Sequence, residues 1–186
     1  SPDSKKLLWA DKKLRLQVVD VESKAVTTVA QATAWEFTDY SWSPDSKWIA
    51  FARPEEKRMT TLQLYSLDKN TTHEVTDGWF SSGEPVFSSD GKYLFFVSDR
   101  TFSPTYGQTE WNHIYTDMAS IYLVTLAQDI QSPFAPKSDE VKIKEEKKEG
   151  DKKDGAKKDD GEKKKKEAGV TVRVDPDGLQ SRIAVL

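Results

Sequence analysis

Cysteine is absent from this sequence, and histidine and methionine occur only twice each among 186 residues. Without cysteine there is no disulfide, no thiol nucleophile and no cysteine-based zinc site. No apolar run approaches the roughly 18 residues that would span a bilayer, so no membrane insertion is expected. Concentrated charge of one sign is missing too. Residues 137–167 hold 13 Lys against 11 Asp and Glu, the remainder 15 basic against 20 acidic, and the whole chain sums to −3. A nucleic-acid surface needs a clearly basic, clustered patch, and none is present. Asp175-Pro176-Asp177-Gly178 lacks the spaced acidic ligands and closing Glu of a calcium loop, so no metal and no cofactor is expected. The sequence opens on Ser1-Pro2-Asp3 without Met. Any targeting signal would therefore lie outside it, and cytoplasm and periplasm remain equally compatible.

What is present is a repeat. Ser1-Pro2-Asp3-Ser4-Lys5 returns as Ser43-Pro44-Asp45-Ser46-Lys47 and as Ser88-Ser89-Asp90-Gly91-Lys92, with starts 42 and then 45 residues apart. A period near 40–45 filled with short strands marks four-stranded propeller blades. The repeated tetrads are turn formers: Pro presets φ, while Asp, Ser and Gly bond locally or tolerate positive φ. A short β-rich apolar run follows each turn, as in Trp48–Phe51 and Tyr93–Val97. Leu14–Val18, Leu62–Leu67 and Ile121–Leu126 supply a third element, and the first two alternate as half-buried strands should. With strands lettered a to d, the turn joins a to b, the alternating run is c, and short segments near Ala25–Val29 and Thr72–Val75 are d.

The expected fold is therefore all-β, a partial β-propeller of about three four-stranded antiparallel blades plus the start of another. Residues 1–35 would form a blade lacking its inner strand and 36–79 a complete blade. Residues 80–174 would form a third blade, with Val170–Val174 as its strand d. The turn at Asp175–Gly178 would lead into 175–186, the first strand of the next blade.

Two interruptions set the third unit apart. Its b–c connection, 99–118, far exceeds the roughly 2–5 residues of a blade hairpin. Its c–d connection carries a Lys/Glu/Asp insertion, 137–168, with almost nothing apolar to bury, and disorder is expected there. Because connections alternate between the two ends of an up-and-down blade, loop 99–118 should share an end with the d–a connections near Trp35 and Trp79-Phe80. The charged insertion should leave from the opposite end.

Asp39–Ala50, Leu64–Leu67 and Phe95–Arg100 resemble blades of the tricorn proteases. Outside the generic repeat, Glu110-Trp111-Asn112-His113, Ser132-Pro133-Phe134-Ala135-Pro136 and Asp177–Ile183 resemble bacterial tricorn-like peptidases in particular. The resemblance implies a large, homo-oligomeric serine peptidase that degrades oligopeptides, with two propellers ahead of a catalytic region containing a PDZ domain. It also implies that the propellers filter or channel peptides, while the nucleophilic Ser and its His lie far downstream. No residue here matches those catalytic motifs, so no catalytic residue is assigned. The expected partners are the remaining blades, the catalytic and PDZ domains of the parent, and peptide substrates. A free-standing TolB-like binding propeller and the propeller of a prolyl-oligopeptidase-type peptidase are the alternatives, and the sequence following Leu186 would separate them.

The repeated Ser and Asp residues are explained by turn chemistry, and His73 beside Glu74 by a plain surface position. Candidate peptide-contacting residues come from the long loop: Arg100, Tyr106, Glu110, Trp111, His113 and Tyr115. Aromatic surface combined with charge suits peptide side chains and termini. The structural alternative is that Glu110, Trp111 and His113 pin the loop by internal packing.

Overall fold

A computed structural model describes residues 1–135 and 169–186. The expected disordered insertion, 137–168, lies outside the described residues. The described residues form thirteen strands: β1 Lys6–Ala10, β2 Arg15–Asp20, β3 Val26–Gln31, β4 Tyr40–Trp42, β5 Trp48–Arg53, β6 Thr61–Ser66, β7 Thr71–Glu74, β8 Ser82–Phe87, β9 Tyr93–Ser98, β10 Thr105–Tyr106, β11 His113–Ile114, β12 Ser120–Thr125 and β13 Ile183–Val185. Among the described residues the only helical element is a single 3-10 turn, Leu179–Arg182. The all-β expectation holds. Sheet I runs β1-β2-β3, sheet II β4-β5-β6-β7 and sheet III β8-β9-β12-β13, all antiparallel, and β10 and β11 form a separate hairpin.

The repeated turn works the same way each time. Ser1, Ser43 and Ser88 each donate Oγ–H to the Asp two residues on, at 2.6 Å. Each Oγ also accepts a backbone N–H five residues on, from Lys6, Trp48 and Tyr93, at 2.9, 2.8 and 2.9 Å. The fourth residue takes positive φ, namely Ser4 at 58°, Ser46 at 61° and Gly91 at 70°. Glycine suits the third copy further, because a Cβ there would lie 2.8 Å from a Val172 methyl.

Two apolar layers hold the sheets face to face. Leu16, Val18, Val29, Phe37, Ile49, Phe51 and Tyr65 fill the space between sheets I and II. Trp48, Ala50, Leu62, Leu64, Phe87, Leu94, Phe96 and Val124 fill that between II and III. Successive residues of β5 and β6 feed opposite layers, so sheet II is covered on both sides. This corrects the half-buried reading of strand c: every residue of β6, including Thr61, Gln63 and Ser66, is buried. A strand whose two faces both meet another sheet cannot be told from a half-exposed one by alternation alone.

The last segment differs from expectation. Residues 170–174 do not form strand d, and 179–186 is not the opening strand of another blade. Instead β13 is the fourth strand of sheet III, with Val124 opposite Ile183 and Tyr122 opposite Val185. Val172 is drawn away from β12 because its N–H bonds Asp45 Oδ2 of the neighbouring turn at 2.9 Å and its side chain is buried in the II/III layer. Gly178, at φ 73°, then starts the 3-10 turn. Leu179 is buried, and Arg182 bonds the carbonyls of Thr125, Leu126, Asp175 and Asp177. Those bonds stitch the chain back onto β12, and burial lowers the Arg182 pKa from its ordinary value.

Candidate functional site

The sheets have two ends of different character. At one end lie the a–b turns and the c–d connections. There Asp3 N–H donates to Ser46 Oγ at 3.1 Å, Asp45 accepts from Val172, and Leu126 N–H bonds Lys92 O at 2.9 Å. The stretches flanking the undescribed residues meet here as well, through Gln128 N–H to Asp175 Oδ2 and an ion pair between Arg173 and Asp129. The described residues on either side of 136–168 thus lie at this end.

At the other end lie the connections 32–39, 54–60, 75–81 and 99–119. Asp99 N–H donates to Ser81 O at 3.1 Å, and Ser98 Oγ donates to the same carbonyl at 2.9 Å. Arg100 faces Asp77 at 4.0 Å. These contacts root the long loop beside the Trp79 connection. Thr101 Oγ1 lies 2.8 Å from Ser120 Oγ and 3.1 Å from Tyr122 Oη, closing the base of the loop. Beyond that base, Thr105 pairs with Ile114 and Tyr106 with His113 in the β10/β11 hairpin. Two residues per strand are too few to leave a periodic trace in the sequence, so the hairpin was not foreseen.

Rings run continuously along this hairpin. Trp111 packs edge-on to Tyr106 at 6.0 Å between centroids, and Tyr106 edge-on to His113 at 5.6 Å. His113 lies 6.4 Å from Tyr115, and Tyr115 lies 5.6 Å from Phe102. The internal packing foreseen for Trp111 and His113 is therefore present, and Tyr106, Tyr115 and Phe102 join it. Burial does not follow, because Trp111 is 72% exposed, Tyr106 58%, and Phe102 and Tyr115 54% each. Glu110 and Asp117, close to Trp111 and Tyr115 along the chain, are exposed. Arg100, by contrast, is mostly covered and engaged with Asp77, which makes it a brace at the root of the loop.

Trp35 and Trp79, 69% and 79% exposed, stand at this same end. Trp35 and Glu36 border a cleft of about 390 Å³ together with Asp39, Ser81, Ser82 and Gly83. Across it, Glu84 N–H reaches Asp39 Oδ2 at 3.4 Å. Glu84 itself sits at φ 52° in a bulge where the register of β8 shifts between Gly83 and Val86. Pro85 within a strand was the readable sign of that bulge. Phe102 was overlooked because its position ahead of the hairpin gave it no pattern to belong to.

Neither histidine is paired with a carboxylate among the described residues. His73 Nε2 lies 3.1 Å from Thr71 Oγ1 and its ring lies 6.2 Å from Trp48, while His113 is stacked among tyrosines. The described residues contain no group of three or more His, Asp and Glu positioned to hold a metal. The chemistry on offer at this end is that of a surface: stacking rings interspersed with carboxylates.

Residues 1–186 match the family described as the tricorn protease second beta propeller domain. Tricorn protease homolog 1 of Streptomyces coelicolor is 31% identical over 137 residues, which is 74% of this chain and 13% of that protein. The tricorn protease homolog of Saccharolobus solfataricus is 29% identical over 140 residues, 75% of this chain and 13% of that protein. A crystal structure of the tricorn protease superposes with a TM-score of 0.75 at 16% identity, covering 100% of this chain and 16% of that one. The chain thus spans about 13% of the length of these curated relatives.

Proposed function

The chain belongs to the tricorn protease second β-propeller domain family, and on that premise we propose that it is a non-catalytic segment that guides or filters oligopeptides toward a catalytic region carried elsewhere in a longer serine peptidase. The observation that carries this reading is the segregation of exposed aromatic residues. Six of them (Trp35, Trp79, Phe102, Tyr106, Trp111 and Tyr115) are exposed at one end of the sheets, while Phe134 is the exposed aromatic among the described residues of the other end. Large apolar side chains are normally scattered singly over a soluble surface, and a cluster on outlying loops marks recognition. An extended peptide is a suitable ligand, since rings accept diverse side chains by stacking and edge contacts without demanding one sequence.

The hairpin serves here as a contact surface and not as a source of nucleophile or base. Shortening 103–117 to a tight turn in the full-length protein tests this. Loss of kcat/KM on long peptides, with short-peptide turnover and assembly retained, is the expected result. If assembly collapses, or all substrates slow equally, the hairpin holds domains together and does not guide substrate.

A further inference from the structure

The charge at the aromatic end is as uneven as its rings. The connections 32–39, 54–60, 75–81 and 99–119 of sheets II and III carry eight Asp and Glu against Lys57, Arg58 and Arg100. Arg58 pairs with Glu74 and Glu55, and Arg100 with Asp77, which leaves six of the eight carboxylates against Lys57. The b–c turn of sheet I, 11–14, adds Asp11 against Lys12 and Lys13, which leaves the end clearly acidic. The opposite end is close to balanced, with one Lys following each repeated Asp turn. Glu110 immediately precedes Trp111 and Asp117 follows Tyr115 by two residues, both are exposed, and Glu110 borders a cleft of about 240 Å³ at the hairpin tip with Gly107, Thr109, Asn112 and Ile114.

Resting on the peptide reading above, we propose that this rim selects oligopeptides combining positive charge with apolar side chains, through the hairpin rings and the carboxylates of Glu110 and Asp117. A Lys or Arg side chain, or a peptide ammonium, is drawn to the face of Trp and Tyr by the ring quadrupole and to a carboxylate beside it by Coulomb attraction. An acidic mouth also raises the local concentration of cationic ligands before any contact is made. The apolar residues of the same peptide then occupy the spaces between rings. A second copy of this chain fits the surface poorly, because acidic rim would meet acidic rim.

The test is fluorescence anisotropy on the full-length protein with short labelled peptides of matched length. One carries Lys and Phe, one Glu in place of Lys, and one Ser in place of Phe. The Lys/Phe peptide should bind at least about tenfold tighter than its Glu counterpart at low salt, with the gap closing as salt rises. Glu110→Lys with Asp117→Lys should erase that preference. Tyr106→Ala with Trp111→Ala should weaken the Lys/Phe peptide more than the Lys/Ser one, with circular dichroism confirming an unchanged fold. If Lys and Glu peptides bind equally and still depend on Trp111, charge selection is overturned while peptide guidance stands. If no peptide binds, both readings fall. A change in mass by light scattering on Trp111→Ala would then identify the face as an assembly surface.

Discussion

The two ends of these sheets are built on different principles. At the turn end the repeated polar residues have local tasks. Ser43 closes its loop through Asp45 and Trp48, Asp45 reaches across to Val172, and Arg182 holds four carbonyls. At the aromatic end the polar groups brace only the roots, through Asp99, Arg100 and Thr101, and the rings beyond them are left to solvent. Hydrogen bonds are concentrated at one end and exposed rings at the other. Recognition surfaces are commonly drawn from the less stable parts of a fold, because a ligand must find groups that the fold itself has not used.

That contrast can be broken experimentally. The largest stability effect is expected from Leu179→Ala at the turn end. Leu179 is fully buried, and its truncation should lower the unfolding free energy by about 3 kcal/mol in urea titrations. An unchanged midpoint would mean that the closing 3-10 turn is not part of the core. Ser43→Ala should come next, at about 2 kcal/mol, because it strips the acceptor from the buried Trp48 N–H.

A smaller effect concerns acid. Asp3 and Asp90 titrate below the ordinary 3.8, chiefly because the hydroxyls of Ser1 and Ser88 and the N–H groups of Lys5 and Lys92 bond the ionised form. Folding therefore holds these carboxyls with fewer protons than the unfolded chain does. Their contribution is complete above the ordinary value and disappears as pH falls through the depressed one. Ser88→Ala should raise the Asp90 midpoint toward 3.8 in carboxyl-detected NMR titration, leaving Asp3 in place. Equal movement of both would show that the turns are not independent. The smallest stability change belongs to the aromatic end: Trp111→Ala should cost no more than about 0.5 kcal/mol, as exposed substitutions do. A loss several times larger would mean that the hairpin is structural and would erase the contrast.

Local physics made much of this legible in advance. The Ser-x-Asp turns, strands b and c, and the abnormal length of 99–118 all depend on contacts within a few residues, and each stands where expected. Tyr106, Trp111, His113 and Tyr115 were named as candidates because the loop that carries them exceeds what a blade hairpin needs. The pairing of Tyr106 with His113 was not foreseen, since two-residue strands fall below any periodic signal. Arg100 resembled the other loop residues in sequence, and only the approach of Asp77 from a separate connection makes it a brace.

The same division runs through the whole chain. The sequence alone determined the repeat, the turn chemistry, the antiparallel strand order within sheet II and the family to which the chain belongs. The turns and the strand order are written in local residue patterns, the repeat in its period, and the family in the strings that resemble it. Tertiary structure alone decided that β6 is buried on both faces and that β13, not 170–174, completes sheet III. It also paired Tyr106 with His113 and set Arg100 against Asp77. For all but the hairpin the deciding partner lies tens of residues away: Asp45 captures the Val172 N–H across 127 positions of chain, and alternation within a segment carries no information about which distant group will claim its backbone.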